Sequence, residues 1–350
     1  MRTAAIMEDY GAPLSIRETE SVRPDADGMV IETAACGICR SDWHAWKGHW
    51  PSVPTGQILG HEPAGTVVEV GENVGLFDVG DEVGIPFNIA CGSCNYCWDG
   101  ESQLCANGLS LGFAPDLPGA FTTEFAIPNA DFNANRLPEG MNPIEMAALG
   151  CRFATAFHAL AHRATVRPGD WLAVHGCGGI GLSAVNIGSA LGASVIAVDL
   201  DESALELAET VGAEITLNVE ETQDLIGRIH DITDGGAAIA MDALGIADTC
   251  RNSLASLGKQ GQHLQVGMTS GANNGSIPLP IDTVVNDELE LIGIKGMPPS
   301  GYPALLQMIA VGDLEPQLLV TNRVALEEVS TRLRAMDDYG TLGFEVVTEF

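Results

Sequence analysis

Residues 171–181 read Trp-Leu-Ala-Val-His-Gly-Cys-Gly-Gly-Ile-Gly, an apolar run that breaks into a Gly-x-Gly-x-x-Gly turn. The run predicts a buried strand over Trp171–His175, a tight turn, a helix over Ile180–Leu191 and a second strand over Ser194–Asp199. Each glycine has its own task. Gly176 makes the turn, Gly178 lets backbone approach a pyrophosphate, and Gly181 lets the helix pack closely on the strand. The backbone around Gly179 and Ile180 opens the helix, whose free N–H groups favour phosphate. Asp199 ends the next strand, 18 residues after Gly181. A carboxylate there accepts from ribose hydroxyls and repels a 2′-phosphate, so NAD is expected over NADP. Asp201 reinforces that preference, and no Arg or Lys lies nearby to receive an extra phosphate.

The same region contains no Asp, Glu, Lys or Arg over the 28 residues Trp171–Val198, which is long enough to span a membrane. Six glycines interrupt it, however, and strand-turn-helix-strand accounts for it better. Downstream, a helix over Glu202–Val211 places Ala204, Leu207, Ala208 and Val211 on one face, and strands follow at Ala237–Asp242 and Gln262–Val266. Alternating strands and helices predict an α/β fold with a doubly wound parallel sheet. Upstream, short apolar runs at Gly65–Val70, Glu82–Phe87 and Thr123–Ile127 are separated by Gly, Pro, Asn and Asp, which predicts irregular β structure. Pro298-Pro299-Ser300-Gly301 marks a joint, after which the tail is expected to pack on the first part.

The chain has 350 residues, 46% of them hydrophobic, which suits two domains with substantial cores. Its 47 acidic and 16 basic residues give a net charge of −31. That charge repels nucleic acid and anionic membranes, so neither is an expected partner. The acids are spread along the chain, and the only lysines are Lys47, Lys259 and Lys295. This pattern suits a solvated surface in molar salt, as in salt-accumulating halophiles. The opening residues Met1-Arg-Thr-Ala-Ala-Ile lead into Glu8 and Asp9 with no secretory pattern, so a cytoplasmic protein is expected.

Cys91, Cys94, Cys97 and Cys105 are spaced Cys-x2-Cys-x2-Cys-x7-Cys. Four thiolates close a tetrahedral Zn²⁺ site, and in a non-secreted chain such a cluster favours metal over disulfides. A closed site performs no chemistry, which directs attention to a second, open one. Its candidates are scattered: Cys36 or Cys39 in Cys36-Gly-Ile-Cys39-Arg-Ser-Asp-Trp-His44, His61 in Gly60-His61-Glu62, and Cys151 in Gly150-Cys151-x3-Thr155. Two thiolates and one imidazole leave a fourth position for water or an alcohol oxygen. Spacing alone does not choose between Cys36 and Cys39.

In this order, these motifs make the chain resemble the zinc-dependent medium-chain alcohol dehydrogenases over essentially its whole length. The resemblance implies a GroES-like catalytic domain over 1–152 and 294–350, with the zinc lobe at 91–105, and a Rossmann domain over 153–293. It implies hydride transfer between an alcohol and a nicotinamide, with two Zn²⁺ and NAD as cofactors. It favours Cys39 over Cys36 as ligand, beside His61 and Cys151, with Glu62 close to the metal and Asp42 orienting His61. Zn²⁺ lowers the pKa of a bound alcohol so that alkoxide forms near neutral pH. Ser41 and His44 match the family's proton relay, Arg40 a pyrophosphate contact and Thr155 a residue near the nicotinamide. Phe87 matches a pocket wall and Trp50 narrows it, which favours small apolar alcohols or aldehydes. One departure stands out: many relatives carry Arg after the glycine at 343 to hold pyrophosphate, and this chain carries Phe344. The compact length resembles microbial forms, often homotetramers, with a dimer as the alternative. A polyol or sugar dehydrogenase is the enzyme alternative, against which Cys151 argues. A non-catalytic zinc and nucleotide scaffold and a quinone reductase fit less well.

Overall fold

The computed structural model describes residues 1–269 and 275–350. The chain forms two units, one of Met1–Ala154, Gly296–Ala310 and Val320–Phe350, the other of Thr155–Lys295 and Val311–Leu319. The boundaries lie two residues beyond the expected 152/153 and 293/294. Residues 311–319 also depart from the expected division. Leu314 and Leu319 are buried, and Pro316–Leu319 packs on helix Gly179–Ala190, which draws this stretch into the second unit.

The first unit is built around the strand Met29–Ile38, a Val/Ile/Ala-rich run buried at eight of its ten positions. On one side it pairs antiparallel with Glu62–Val70. On the other it pairs with Glu124–Ile127 near its start and Phe344–Glu349 near its end. The last strand therefore reaches the register Cys36, Gly37, Ile38, immediately before Cys39. A second sheet orders Ser15–Thr19, Arg2–Met7 and Gln57–Ile58. Met7, Met29, Ile31, Ile38, Trp46, Phe121 and Phe125 form one apolar core. Fully burying a side chain of this size contributes about 1.5–3 kcal/mol each. Trp46, which follows the Cys39 loop in sequence, is a core residue that donates its indole N–H to the Ala12 carbonyl at 2.6 Å.

The second unit has a parallel sheet in the order Ile215–Asn218, Ser194–Asp199, Trp171–His175, Ala237–Asp242, Leu257–Gln265 and Glu290–Gly293. This is the doubly wound order, with the glycine turn following the strand at the switch point. The strand expected at Gln262–Val266 begins earlier, at Leu257, which pairs with Ala237; the polar stretch Gly258–Gly261 is looped out at a register shift before regular pairing resumes at Gln262 opposite Ile239. Helix Glu202–Thr210 buries Ala204, Leu205 and Ala208, so Leu205 rather than Leu207 completes the apolar face. Among the described residues, no helix is long and apolar enough to cross a membrane.

Candidate metal and nucleotide sites

The four lobe cysteines come together with all sulfurs within 4.8 Å. Cys91–Cys105 are 3.4 Å apart, Cys94–Cys97 3.5 Å and Cys94–Cys105 3.8 Å. Four sulfurs about 2.3 Å from one central ion lie about 3.8 Å apart in a tetrahedron, so the lobe has the right size for zinc. The Cys91 backbone N–H points at the Cys105 sulfur, 3.3 Å away.

The second cluster is Cys39, His61, Glu62 and Cys151, again within 4.8 Å. The structure brings Cys39 here and leaves Cys36 on its strand, donating toward the Gly37 carbonyl, its thiol pushed well up by burial. Cys39 caps the helix Arg40–Trp46. Asp42, on the first turn of that helix, is fully buried and ties the start of its own helix to the Gly60-His61 segment. Its carboxylate accepts from the Cys39 backbone N–H, the Gly60 backbone N–H and His61 Nδ1, each at 3.0 Å. An aspartate acceptor at Nδ1 turns Nε2 toward a metal. Among the described residues, His61 Nε2 is buried with no partner at hydrogen-bonding geometry and faces the Cys39 thiol, a costly state for a ring nitrogen unless a cation takes its lone pair. A hydrogen bond from the Cys151 thiol holds the Cys39 thiol well below its ordinary range, while Cys151 itself is pushed well up. Soft donors that must shed protons to coexist suit zinc. Replacing Asp42 with Ala is expected to lower metal affinity or turnover about 10- to 100-fold, read by zinc titration with a competing chelator.

Glu62 is held by Arg152, a residue that sequence reasoning passed over although it follows Cys151 directly. Arg152 Nη2 donates to Glu62 Oε2 at 2.6 Å, and Nε and the Arg152 backbone N–H both donate to Oε1, at 3.1 and 3.2 Å. Burial pushes the Glu62 carboxyl up, and the neighbouring guanidinium opposes that push. The Arg152 guanidinium lies 4.2 Å from the centre of the Phe344 ring. Phe344 is thus a buried platform where relatives were expected to carry Arg. Space for Glu62 is made by two glycines. A Cβ on Gly37 would stand 2.2 Å from Oε2, and one on Gly150 would stand 2.4 Å from the Glu62 Cβ. At Gly150 the helical backbone also breaks, with ψ −137°.

The aromatic wall is longer than expected. Phe87 meets the His61 ring edge-on at 5.9 Å, and Trp50 stacks on His44 at 5.6 Å. Phe113, unmarked in the sequence by any motif, joins them: it lies 4.7 Å from His61 and meets Trp50 edge-on at 5.3 Å. Ser41 and His44 lie on the helix Arg40–Trp46. His44 Nδ1 is 3.0 Å from His49 Nδ1, and burial, with His49 and Arg40, pushes the His44 pKa down to about 4. His44 is therefore neutral at pH 7 and a weak base, able to relay a proton without retaining it. Arg40 is more engaged than its expected anion role suggests. It donates to the Met336 carbonyl at 2.6 Å, and its guanidinium lies 4.0 Å from the Trp43 ring and 4.5 Å from that of Tyr339. Among the described residues one of its five N–H donors is used this way, which leaves others able to meet an anion.

In the second unit, Gly176 has φ +96°, and a Cβ on Gly181 would stand 1.8 Å from the Gly176 carbonyl oxygen. A Cβ on Gly178 meets nothing within 4 Å, which leaves that backbone open to a ligand. Helix Gly179–Ala190 starts there and includes Gly179 and Ile180. Asp199 accepts the Cys177 backbone N–H at 2.5 Å and those of Leu200 and Asp201 at 2.7 and 3.0 Å. Its carboxylate is thereby fixed at the strand end beside the glycine turn. Asp201 caps helix Glu202–Thr210 through the Ser203 backbone N–H. Thr155 is buried in the same unit.

Residues 25–139 match the family model for the alcohol dehydrogenase GroES-like domain, and 179–311 that for zinc-binding dehydrogenases. An alcohol dehydrogenase of Geobacillus stearothermophilus is 34% identical over 296 residues, covering 84% of this chain and 83% of that protein. This chain belongs to the zinc-binding alcohol dehydrogenase family. The dehydrogenase is also 33% identical over 308 residues to a sorbitol dehydrogenase of Bacillus subtilis, covering 86% of this chain and 84% of that one. A solved alcohol dehydrogenase from Thermus sp. ATN1 matches the fold with a TM-score of 0.90 at 30% identity, over 99% of this chain and 100% of that one.

Proposed function

We propose that this dehydrogenase reversibly oxidises small to medium primary or secondary alcohols to aldehydes or ketones, with zinc and NAD. The observation that carries the reading is His61, whose Nδ1 is given to buried Asp42 while Nε2 has no partner at hydrogen-bonding geometry among the described residues and lies beside Cys39 and Cys151. Cys39, His61 and Cys151 would hold a catalytic zinc, and the four lobe cysteines a structural one. Zinc held by the first set supplies the Lewis acidity that makes an alcohol hydroxyl acidic near neutral pH. NAD, held at the glycine turn, would supply the hydride acceptor.

The chain's residues do the rest. Asp42 fixes the His61 tautomer. Trp50, Phe113 and Phe87 form an apolar wall that excludes water and favours slender apolar substrates. Ser41 and His44 carry the hydroxyl proton away, and His49, exposed and bonded to His44, passes it to solvent. Gly176, Gly178 and Gly181 with the helix start receive the pyrophosphate, Asp199 the ribose, Arg40 a phosphate, and Thr155 adjoins the nicotinamide. The test measures metal content and an alcohol panel with NAD and NADP in molar KCl. Two zinc per chain with NAD-dependent ethanol or butanol turnover supports the proposal; one zinc and no turnover refutes it.

A second reading, a polyol dehydrogenase, draws on the sorbitol dehydrogenase relative. It predicts that sorbitol or xylitol outperforms butanol in the same panel. The aromatic wall and Cys151 favour the first reading.

The −31 charge supports a protein adapted to high salt. Activity and melting temperature are expected to rise from dilute buffer to molar KCl as self-repulsion is screened. Full stability in dilute buffer would remove that reading. Assembly into a homotetramer, or a dimer, is supported by the sheet-edge strand Glu290–Gly293 and by exposed Ile281, Val285 and Leu291. Light scattering in high salt tests it.

A further inference from the structure

Glu62 presents a difficulty to an open zinc site. Its carboxylate lies within the same 4.8 Å cluster as Cys39, His61 and Cys151. Zinc accepts carboxylate oxygen as readily as imidazole, and a fourth protein ligand closes a tetrahedral site. The fourth position would then be unavailable to substrate oxygen. The structure contains a device that opposes this. Both Glu62 oxygens receive hydrogen bonds from Arg152, three in all, two from the guanidinium fork and one from the backbone N–H. The fork is itself held: its plane lies over the Phe344 ring, and Nη1 approaches the Gly343 carbonyl at 3.5 Å. Arg152 and Glu62 side chains are 8% and 1% exposed, so water does not compete for either. Gly37 and Gly150 bring backbone close against Glu62 where a Cβ would collide with it, and the Arg152 hydrogen bonds then set which way its two oxygens face.

We propose that Arg152 is a positioning residue that draws the Glu62 carboxylate away from the metal and keeps the fourth position open. The proposal rests on Cys39, His61 and Cys151 being the zinc ligands. It adds that Glu62 becomes a ligand only when the fork is lost. Phe344 fits this role as the platform that orients Arg152, which gives the departure at that position a local purpose.

Cobalt(II) in place of zinc reports coordination through its visible bands, and imidazole probes whether the fourth position is open. Bands lost in Cys151→Ser identify the signal of this site. Their absence from the unmodified protein would refute the ligand assignment itself rather than the role of Arg152. Arg152→Lys keeps the charge but not the two-pronged grip. It is expected to shift the bands and weaken imidazole binding about tenfold or more, as loss of an outer-shell partner does. Adding Glu62→Gln to that variant removes the competing ligand and is expected to restore imidazole binding. Unchanged imidazole binding in Arg152→Lys, or a loss that Glu62→Gln does not reverse, would overturn the proposal. Glu62→Gln alone gives an independent check. It leaves the cobalt bands in place if the carboxylate is held off the metal. A shift in those bands shows the carboxylate already coordinated, and equally overturns the idea.

Discussion

Cys151→Ser is expected to lower ethanol oxidation by about 10³-fold or more while the protein keeps its fold. The proposed site has three protein donors, two of them thiolates. Serine is close to isosteric, but its hydroxyl is not ionised at neutral pH and binds zinc poorly. Lewis-acid stabilisation is worth several kcal/mol, and about 1.4 kcal/mol corresponds to each tenfold in rate. The fold should survive because Cys151 lies beside the Gly150 break and not among the large core side chains of the first unit. Turnover, zinc content and circular dichroism together decide the matter. Loss of one of two zinc ions with an unchanged spectrum is the expected result. Full turnover would show that Cys151 is not a ligand.

Asp199→Ala is expected to reduce kcat/KM for NAD about 100-fold and to narrow the gap between NAD and NADP. Two charge-assisted hydrogen bonds to ribose hydroxyls account for that size, at about 1.5–3 kcal/mol for each. The same change removes the acceptor of the Cys177 N–H, so the glycine turn loses a tether as well. Kinetics with both cofactors, together with a melting curve, separate recognition from loss of the turn. An unchanged NAD preference would show that the ribose is recognised elsewhere.

The nucleotide unit was legible because its signals are local. Strand, glycine turn and helix follow one another between Trp171 and Ala190, and each glycine's task is visible at short range. The zinc lobe was legible for the same reason, since its ligands lie within fifteen residues of one another. What stayed hidden depends on distance along the chain. Arg152 meets Glu62 across 90 residues, and Phe113 meets His61 through a fold that no periodicity announces. The early start of the strand at Leu257 was obscured because Gly258–Gly261 form an irregularity that interrupts the pairing before Gln262. The apolar face of the helix after Asp201 turned by a residue, because two positions of similar hydropathy, Leu205 and Leu207, compete for it.

The strand that leads into Cys39 also bears on when this protein becomes functional during synthesis. One flank of Met29–Ile38 is filled early, by Glu62–Val70. The other is filled only in part by Glu124–Ile127, and the stretch at Cys36–Ile38 waits for Phe344–Glu349. A nascent chain still attached to the ribosome has made every proposed zinc ligand but lacks the strand that braces the loop bearing the first of them. Phe344, the platform under Arg152, arrives at the same late moment. Removing residues 341–350 is therefore expected to take away brace and platform together, leaving every thiol in place but the loop at Cys39 unsupported.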